Sequence, residues 1–246
     1  MWKYLNAKAF TLYTQGRYAE AAKVAEEALE VGEDTFGPGH PAVATSLHYL
    51  AAVYRAQGRY AEAEPLVKRT LLIREKALGP EHPRVATLLN HLAVLYRAQG
   101  RYAEAEPLYK RALAIDEKAL GKDHPTVARD LSNLAEVYRA QGKYAEAEPL
   151  FDRALAIHKK ALGPDHPAVG NSLNSLALLY EARGKYAEAE RLYKQALVIQ
   201  EKALGPTHPE LVTVLENIAG FYKKTGRINE AKRFEKRAQA IRSRNK

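Results

Sequence analysis

The dipeptide His-Pro falls at His40-Pro41, His82-Pro83, His124-Pro125, His166-Pro167 and His208-Pro209, each 42 residues from the next. Two glycine series keep the same step. Gly16, Gly58, Gly100, Gly142, Gly184 and Gly226 form one, and Gly37, Gly79, Gly121, Gly163 and Gly205 the other. The segment RAQGRYAEAEPL stands verbatim at 55–66 and 97–108, and returns at 139–150 with one Arg-to-Lys change. A fixed period of this length means a repeat architecture, in which one supersecondary unit recurs and neighbours bury each other's apolar faces.

Within the period 83–124 the spacing predicts two helices, separated by a breaker at Gly100 and closed by Gly121. Pro83 suits the first turn, where its missing N–H has no partner to lose. Leu89, Leu92, Ala93 and Tyr96 recur at i, i+3, i+4 and i+7 and form the first core stripe. Tyr102, Ala105, Tyr109, Ala112 and Leu113 form the second, with the apolar pattern continuing through Ile115 to Leu120 before Gly121 provides a left-handed stop. Small Ala93, Ala105 and Ala112 allow close approach of helix axes. Pro107 removes one ladder bond a turn into the second helix and bends its entry.

The predicted fold is therefore all-α: one solenoid domain over 1–246, of six helical hairpins at about 1–36, 37–78, 79–120, 121–162, 163–204 and 205–246, stabilised largely by nearest-neighbour interfaces. Glu235 and Gln239 replace the aromatic and leucine of earlier second helices, giving a polar outer cap and the expectation of a monomer. At the other end the chain begins just after the place where a His-Pro would stand, which makes a trimmed start, with a leader or upstream domain removed, an expectation.

The repeat LNxLAxLYRAQGRYAEAEPLYKRALAI, as in Leu89 to Ile115, resembles the tetratricopeptide repeat. With HPxVA before it and EKALGP-H after it, the 42-residue form is similar to kinesin light chain repeats and their bacterial relatives, over essentially the whole chain. Ala51, Ala93, Ala135 and Ala177 replace a glycine common in shorter repeats. Glu75, Glu117 and Glu201 stand where those repeats have a helix-ending proline. Both departures fit a longer second helix. The heptad segment that joins a light chain to its motor is missing, so no motor role is inferred.

The residues do not assemble a catalytic constellation, so the expectation is a non-enzymatic protein without cofactor or metal. Stacking sets the five His-Pro histidines about 10 Å apart, too far to share an ion whose bonds are about 2 Å. They read as helix-entry residues, while His48, His91 and His158 read as isolated. Glu62 and Glu64, with the equivalent pairs Glu104 and Glu106, and Glu146 and Glu148, point about 200° apart on a helix. They favour the positive helix N-terminus and solubility rather than acid–base chemistry.

Beside the core stripe lie Thr87, Asn90, Val94, Arg97 and Ala98. The resemblance implies that this face lines a concave groove. Down the repeats it presents Asn6, His48, Asn90, Ser132, Asn174 and Glu216 in one row, and Tyr13, Arg55, Arg97, Arg139, Glu181 and Lys223 in another. Phe10, Ala52, Val94, Glu136, Leu178 and Gly220 run between them. Arginine forks match carboxylates, and asparagine can bond both groups of an extended backbone. The expectation is an acidic, extended peptide partner held by Arg55, Arg97, Arg139, Asn90 and Asn174, with His48 and Glu136 beside them. The resemblance implies an aromatic anchor in that peptide. The alternative is that these arginines are inherited with the repeat, and are solvated or paired with a nearby glutamate.

The formal charge of +9 is uneven: residues 221–246 carry ten bases against Glu230 and Glu235, and the rest of the chain is nearly neutral. A competing reading is a nucleic-acid or acidic-surface site on this basic C-terminal helix. Lys232, Arg233, Lys236 and Arg237 lack the aromatic interleaving that base stacking needs, so a solvated cap is the expectation. A further alternative is a designed, consensus-derived array with no ligand. With no membrane-length apolar stretch, no insertion is expected, and the start MWKYLNAKAF lacks the apolar core of a signal peptide. The absence of cysteine fits reducing and oxidising compartments alike; the cytoplasm is the expectation, or the periplasm if a leader has been removed.

Overall fold

A computed structural model describes residues 1–244. These form twelve helices and no strand: α1 (Trp2–Thr14), α2 (Tyr18–Phe36), α3 (Val43–Ala56), α4 (Tyr60–Leu78), α5 (Pro83–Ala98), α6 (Tyr102–Leu120), α7 (Pro125–Ala140), α8 (Tyr144–Leu162), α9 (Pro167–Ala182), α10 (Tyr186–Leu204), α11 (Leu211–Lys224) and α12 (Ile228–Arg244). The architecture is the expected all-α solenoid of helical hairpins. Contacts group the chain into two compact units, one ending at Ala119 and the other starting at Leu120. Within them, α2, α4, α8 and α10 each pack both on the first helix of their own hairpin and on the first helix of the next.

The punctuation of the sequence acts as backbone geometry. His82, His124 and His166 are helix N-caps: each Nδ1 accepts the backbone N–H two residues on at 3.1 Å, and the following proline takes the N1 position. His40 and His208 make the same bond, at 3.1 and 3.3 Å, although α3 and α11 begin three residues after them. Gly58 and Gly100 turn the chain inside their hairpins at φ +74° and +72°.

The closing glycines differ from expectation. Gly79 and Gly163 have φ 88° and 90° but ψ 153° and 156°, an extended mirror-image conformation rather than the left-handed helical one. The chain must leave the helix straight toward the next His-Pro, and only glycine occupies that region without strain.

The core follows the stripes. Leu89, Ala93, Ala105, Tyr109 and Ala112 are fully buried. Tyr102 and Leu113 are half-buried, and Leu120 is exposed. The buried part of the second stripe therefore ends with Ile115, about a turn earlier than its apolar residues run. Pro65, Pro107 and Pro149 sit inside unbroken helices.

Candidate functional site

Asn6, Phe10 and Tyr13 on α1, His48, Ala52 and Arg55 on α3, and Asn90, Val94 and Arg97 on α5 belong to the first compact unit. α1, α3 and α5 together carry Lys3, Lys8, Arg55, Arg84 and Arg97 and not one aspartate or glutamate. Arg55 and Arg97 are half-buried, and among the described residues their guanidinium groups make no hydrogen bond or ion pair. A pocket of about 250 Å³ opens between these helices, walled by Phe10, Tyr13, His48, Tyr49, Arg55 and His91. Phe10 is 49% exposed and rests on Tyr49 with ring centroids 5.8 Å apart. The site thus pairs an aromatic recess with uncompensated positive charge.

His48 and His91, expected to be isolated, stack at 5.3 Å with their planes 27° apart. The 42-residue period sets residues 48 and 90 side by side on consecutive first helices, and His91 follows directly. Burial, then the charges of Arg55 and Arg74, holds the His48 imidazole below its ordinary pKa. His158 is likewise partnered, its Nδ1 lying 2.8 Å from Ser172 Oγ.

The asparagine row lies deeper than the arginines. Asn6, Asn90 and Asn174 are 5%, 6% and 9% exposed. Asn6 Nδ2 donates to the Trp2 carbonyl at 3.0 Å, and Asn174 Oδ1 accepts from Asn217 Nδ2 at 3.1 Å, so part of this row serves helix geometry and neighbour contact.

In the second compact unit the corresponding face is internally neutralised. Arg139 donates from Nε and Nη2 to Glu136 Oε2 at 3.0 and 2.7 Å. Glu181 Oε2 accepts the Tyr193 hydroxyl at 2.8 Å, and burial together with this carboxylate raises the pKa of the phenol. Glu181 also pairs with Lys224, Lys223 with Glu235, and Arg242 with Glu216. The sequence places Arg55, Arg97 and Arg139 in one row, yet only the first two keep an open guanidinium.

The basic C-terminal helix is partly spent in the same way. Arg237 pairs with Glu201, and Arg227 bonds Glu190 at 2.8 Å and Glu230 at 2.9 Å. Lys232, Arg233 and Lys236 stand exposed, and Gln239 keeps the outer face polar. Lys246 of this cluster lies outside the described residues. Among the described residues no group of three or more histidine or carboxylate side chains is placed to hold a metal ion, and no helix is long and apolar enough to cross a membrane.

Sequence reasoning missed what the second glutamate of each Ala-Glu pair does. Glu62 and Glu104 bond Arg59 and Arg101 at the starts of their helices, but Glu64, Glu148 and Glu190 reach the following hairpin and accept the hydroxyls of Tyr96, Tyr180 and Tyr222. The signal was present as a constant separation of 32 residues.

A tetratricopeptide repeat family model matches residues 2–71, 43–118, 84–159, 127–202 and 176–244. A crystal structure from Podosopora anserina, designated a kinesin light chain with nearly identical repeats, superimposes with TM-score 0.71 at 32% identity, covering 81% of this chain and 95% of that one. BtubC (BKLC) from P. vanneervenii gives TM-score 0.68 at 25% identity over 93% of this chain and 91% of its own. The apo form of RapI gives TM-score 0.77 over 98% and 83%, but at 15% identity shares the fold alone. No protein of curated function matches the sequence.

Proposed function

The chain belongs to the tetratricopeptide repeat family, whose members are generally protein-interaction scaffolds, and from that premise we propose that it binds an extended acidic peptide segment on the α1–α3–α5 face. The observation that carries this reading is the absence of any acidic residue from those three helices, beside the open guanidinium groups of Arg55 and Arg97. Arginine presents a fork to carboxylates, and the recess at Phe10, Tyr13 and Tyr49 accepts an aromatic side chain of the same segment. The scaffold acts as a monomer and without catalysis of its own.

Fluorescence anisotropy of labelled acidic peptides containing one tryptophan, with scrambled and basic controls, tests the reading. Micromolar binding, about −8 kcal/mol at most, is expected, together with its loss in an Arg55→Glu, Arg97→Glu variant of equal helicity. Equal binding by that variant, or binding of the basic control alone, overturns the proposal.

A further inference from the structure

A second pocket of about 250 Å³ lies on the other side of His48, and Arg74 from α4, Arg84 and Thr87 from α5, and Thr45 from α3 converge on it. Arg74 is half-buried, and among the described residues the only polar contact of its side chain is a 3.3 Å bond from Nη2 to Thr45 Oγ1. Among the described residues neither Arg74 nor Arg84 makes an ion pair. Burial, then the Arg84 charge, presses the Arg74 guanidinium to lower pKa, while Arg84 itself is exposed where it lines the pocket. The Thr45 hydroxyl accepts from Arg74 and keeps its own proton to donate. Arg84 and Thr45 also sit in the first turns of their helices, where the macrodipole is positive.

Repetition provides an internal control. The seat of Arg74 is held by Gly32, Asp116, His158, Gln200 and Arg242 in the other hairpins, and that of Arg84 by Ala42, Thr126, Ala168 and Glu210; Arg242, unlike Arg74, is paired, with Glu216. Three of the equivalent seats are filled from within. Gly32 admits the Trp2 indole, which donates to Ser46 at 2.9 Å. His158 bonds Ser172, and Gln200 Nε2 donates to Asn171 Oδ1 at 2.5 Å. Where His158 faces Ser172, Arg74 faces the corresponding Leu88, which lines the pocket and accepts nothing. The fold does not require arginine at either seat.

We propose that Thr45, Arg74, Arg84 and Thr87 form a binding site for a phosphate monoester dianion. Two guanidinium charges match the −1.5 to −2 that such a group carries near pH 7, roughly twice that of a carboxylate. Arginine forks also meet phosphate oxygens in bidentate fashion. The same chemistry is presented by free phosphate compounds and by a phosphorylated serine or threonine side chain. The site shares His48 and Tyr49 with the peptide recess but does not depend on the peptide reading.

Isothermal titration of the full chain at fixed ionic strength, with inorganic phosphate, with acetate, and with a blocked phosphoserine peptide and its unphosphorylated form, tests the assignment. Wild type is compared with Arg74→Gln, Arg84→Gln and Arg97→Glu variants of equal helicity; glutamine already stands at the equivalent seat 200. Saturable phosphate binding is expected, weakened about tenfold by either glutamine and about tenfold tighter than acetate. Arg97→Glu leaves phosphate binding intact even where it abolishes acidic-peptide binding, so the two readings fail separately. A phosphopeptide binding more tightly than phosphate identifies a modified side chain as the source, and equal or weaker binding a free phosphate compound; both support the site. No saturable binding of phosphate or phosphopeptide, the same affinity in both glutamine variants, or acetate equal to phosphate overturns it.

Discussion

The Tyr96 hydroxyl donates to Glu64 Oε1 at 3.1 Å across the junction of two hairpins, while Arg101, five residues on, holds Glu64 Oε2 at 2.5 Å. Lys68 closes the cluster from within α4 at 2.6 Å, and the Arg101 guanidinium lies 4.2 Å over the Tyr96 ring. The arrangement recurs as Tyr180 and Arg183 on Glu148, and as Tyr222 and Arg227 on Glu190. At the first junction Glu26 takes the part at one turn's remove, accepting Tyr54 at 2.6 Å. Hydrophobic stacking is tolerant of small slips between repeats; a directional bond at each of these junctions fixes the register.

Glu64→Gln is expected to lower stability by about 1–2 kcal/mol at pH 7, since it leaves Lys68 without its charged acceptor and Arg101 with Glu104 alone. Burial raises the Glu64 pKa, but bonds from Arg101, Lys68 and Tyr96 outweigh it and hold the carboxyl at about 2, below its ordinary 4.5. A depressed folded-state pKa gives stabilisation that is complete above 4.5 and is lost as pH falls toward about 2. Urea unfolding of wild type and variant across that window is the check. The two curves should converge at the acid end; a constant offset down to pH 2 would show that Glu64 contributes by packing.

The fold was legible because its signals are periodic and local. His-Pro, the turn glycines and the alanine stripe each act within one hairpin, so sequence spacing alone places them. The ion-pair clusters were not, since Glu64 and Tyr96 meet only after two hairpins dock. The candidate site was legible by position and not by electrostatic state. Arg55, Arg97 and Arg139 each open the same RAQG segment, but Glu136, one turn before Arg139, occupies that guanidinium, whereas Val94 and Ala52 hold the equivalent place beside the open ones. Arg74 escaped notice because it lies on a second helix, outside the rows that first-helix spacing defines.

His82→Ala is expected to cost about 1 kcal/mol, because the Arg84 N–H loses the acceptor that caps α5. His82→Asn restores a side-chain acceptor of short reach and should recover most of that loss. Thermal unfolding of the pair separates capping from ring packing: equal destabilisation by both variants would assign the histidine to packing alone.

Gly79→Ala tests the extended exit of α4. A Cβ there meets no atom within 4 Å, so any cost arises from the backbone, at φ 88° and ψ 153°. A loss of about 1–3 kcal/mol is expected, with helicity unchanged. Gly39→Ala, at a glycine with equally open surroundings and no positive φ, should be close to neutral. If the two substitutions cost the same, the closing glycine is not selected for its conformation.

Phe10→Ala examines the aromatic recess separately from the arginines. The ring is 49% exposed and touches Tyr49 at the mouth of the pocket, so its removal takes little from the core. If an aromatic anchor of an acidic peptide packs between Phe10 and Tyr49, truncation removes one ring contact, about 0.5–1.5 kcal/mol. Anisotropy titrations with tryptophan-containing and alanine-substituted acidic peptides form a double-mutant cycle with this variant. The expected outcome is a severalfold loss for the tryptophan peptide and little change for the alanine one, since the latter has no ring to lose. Additive losses would mean that the peptide's ring and Phe10 do not meet, and would leave the charge of Arg55 and Arg97 as the sole determinant on this face.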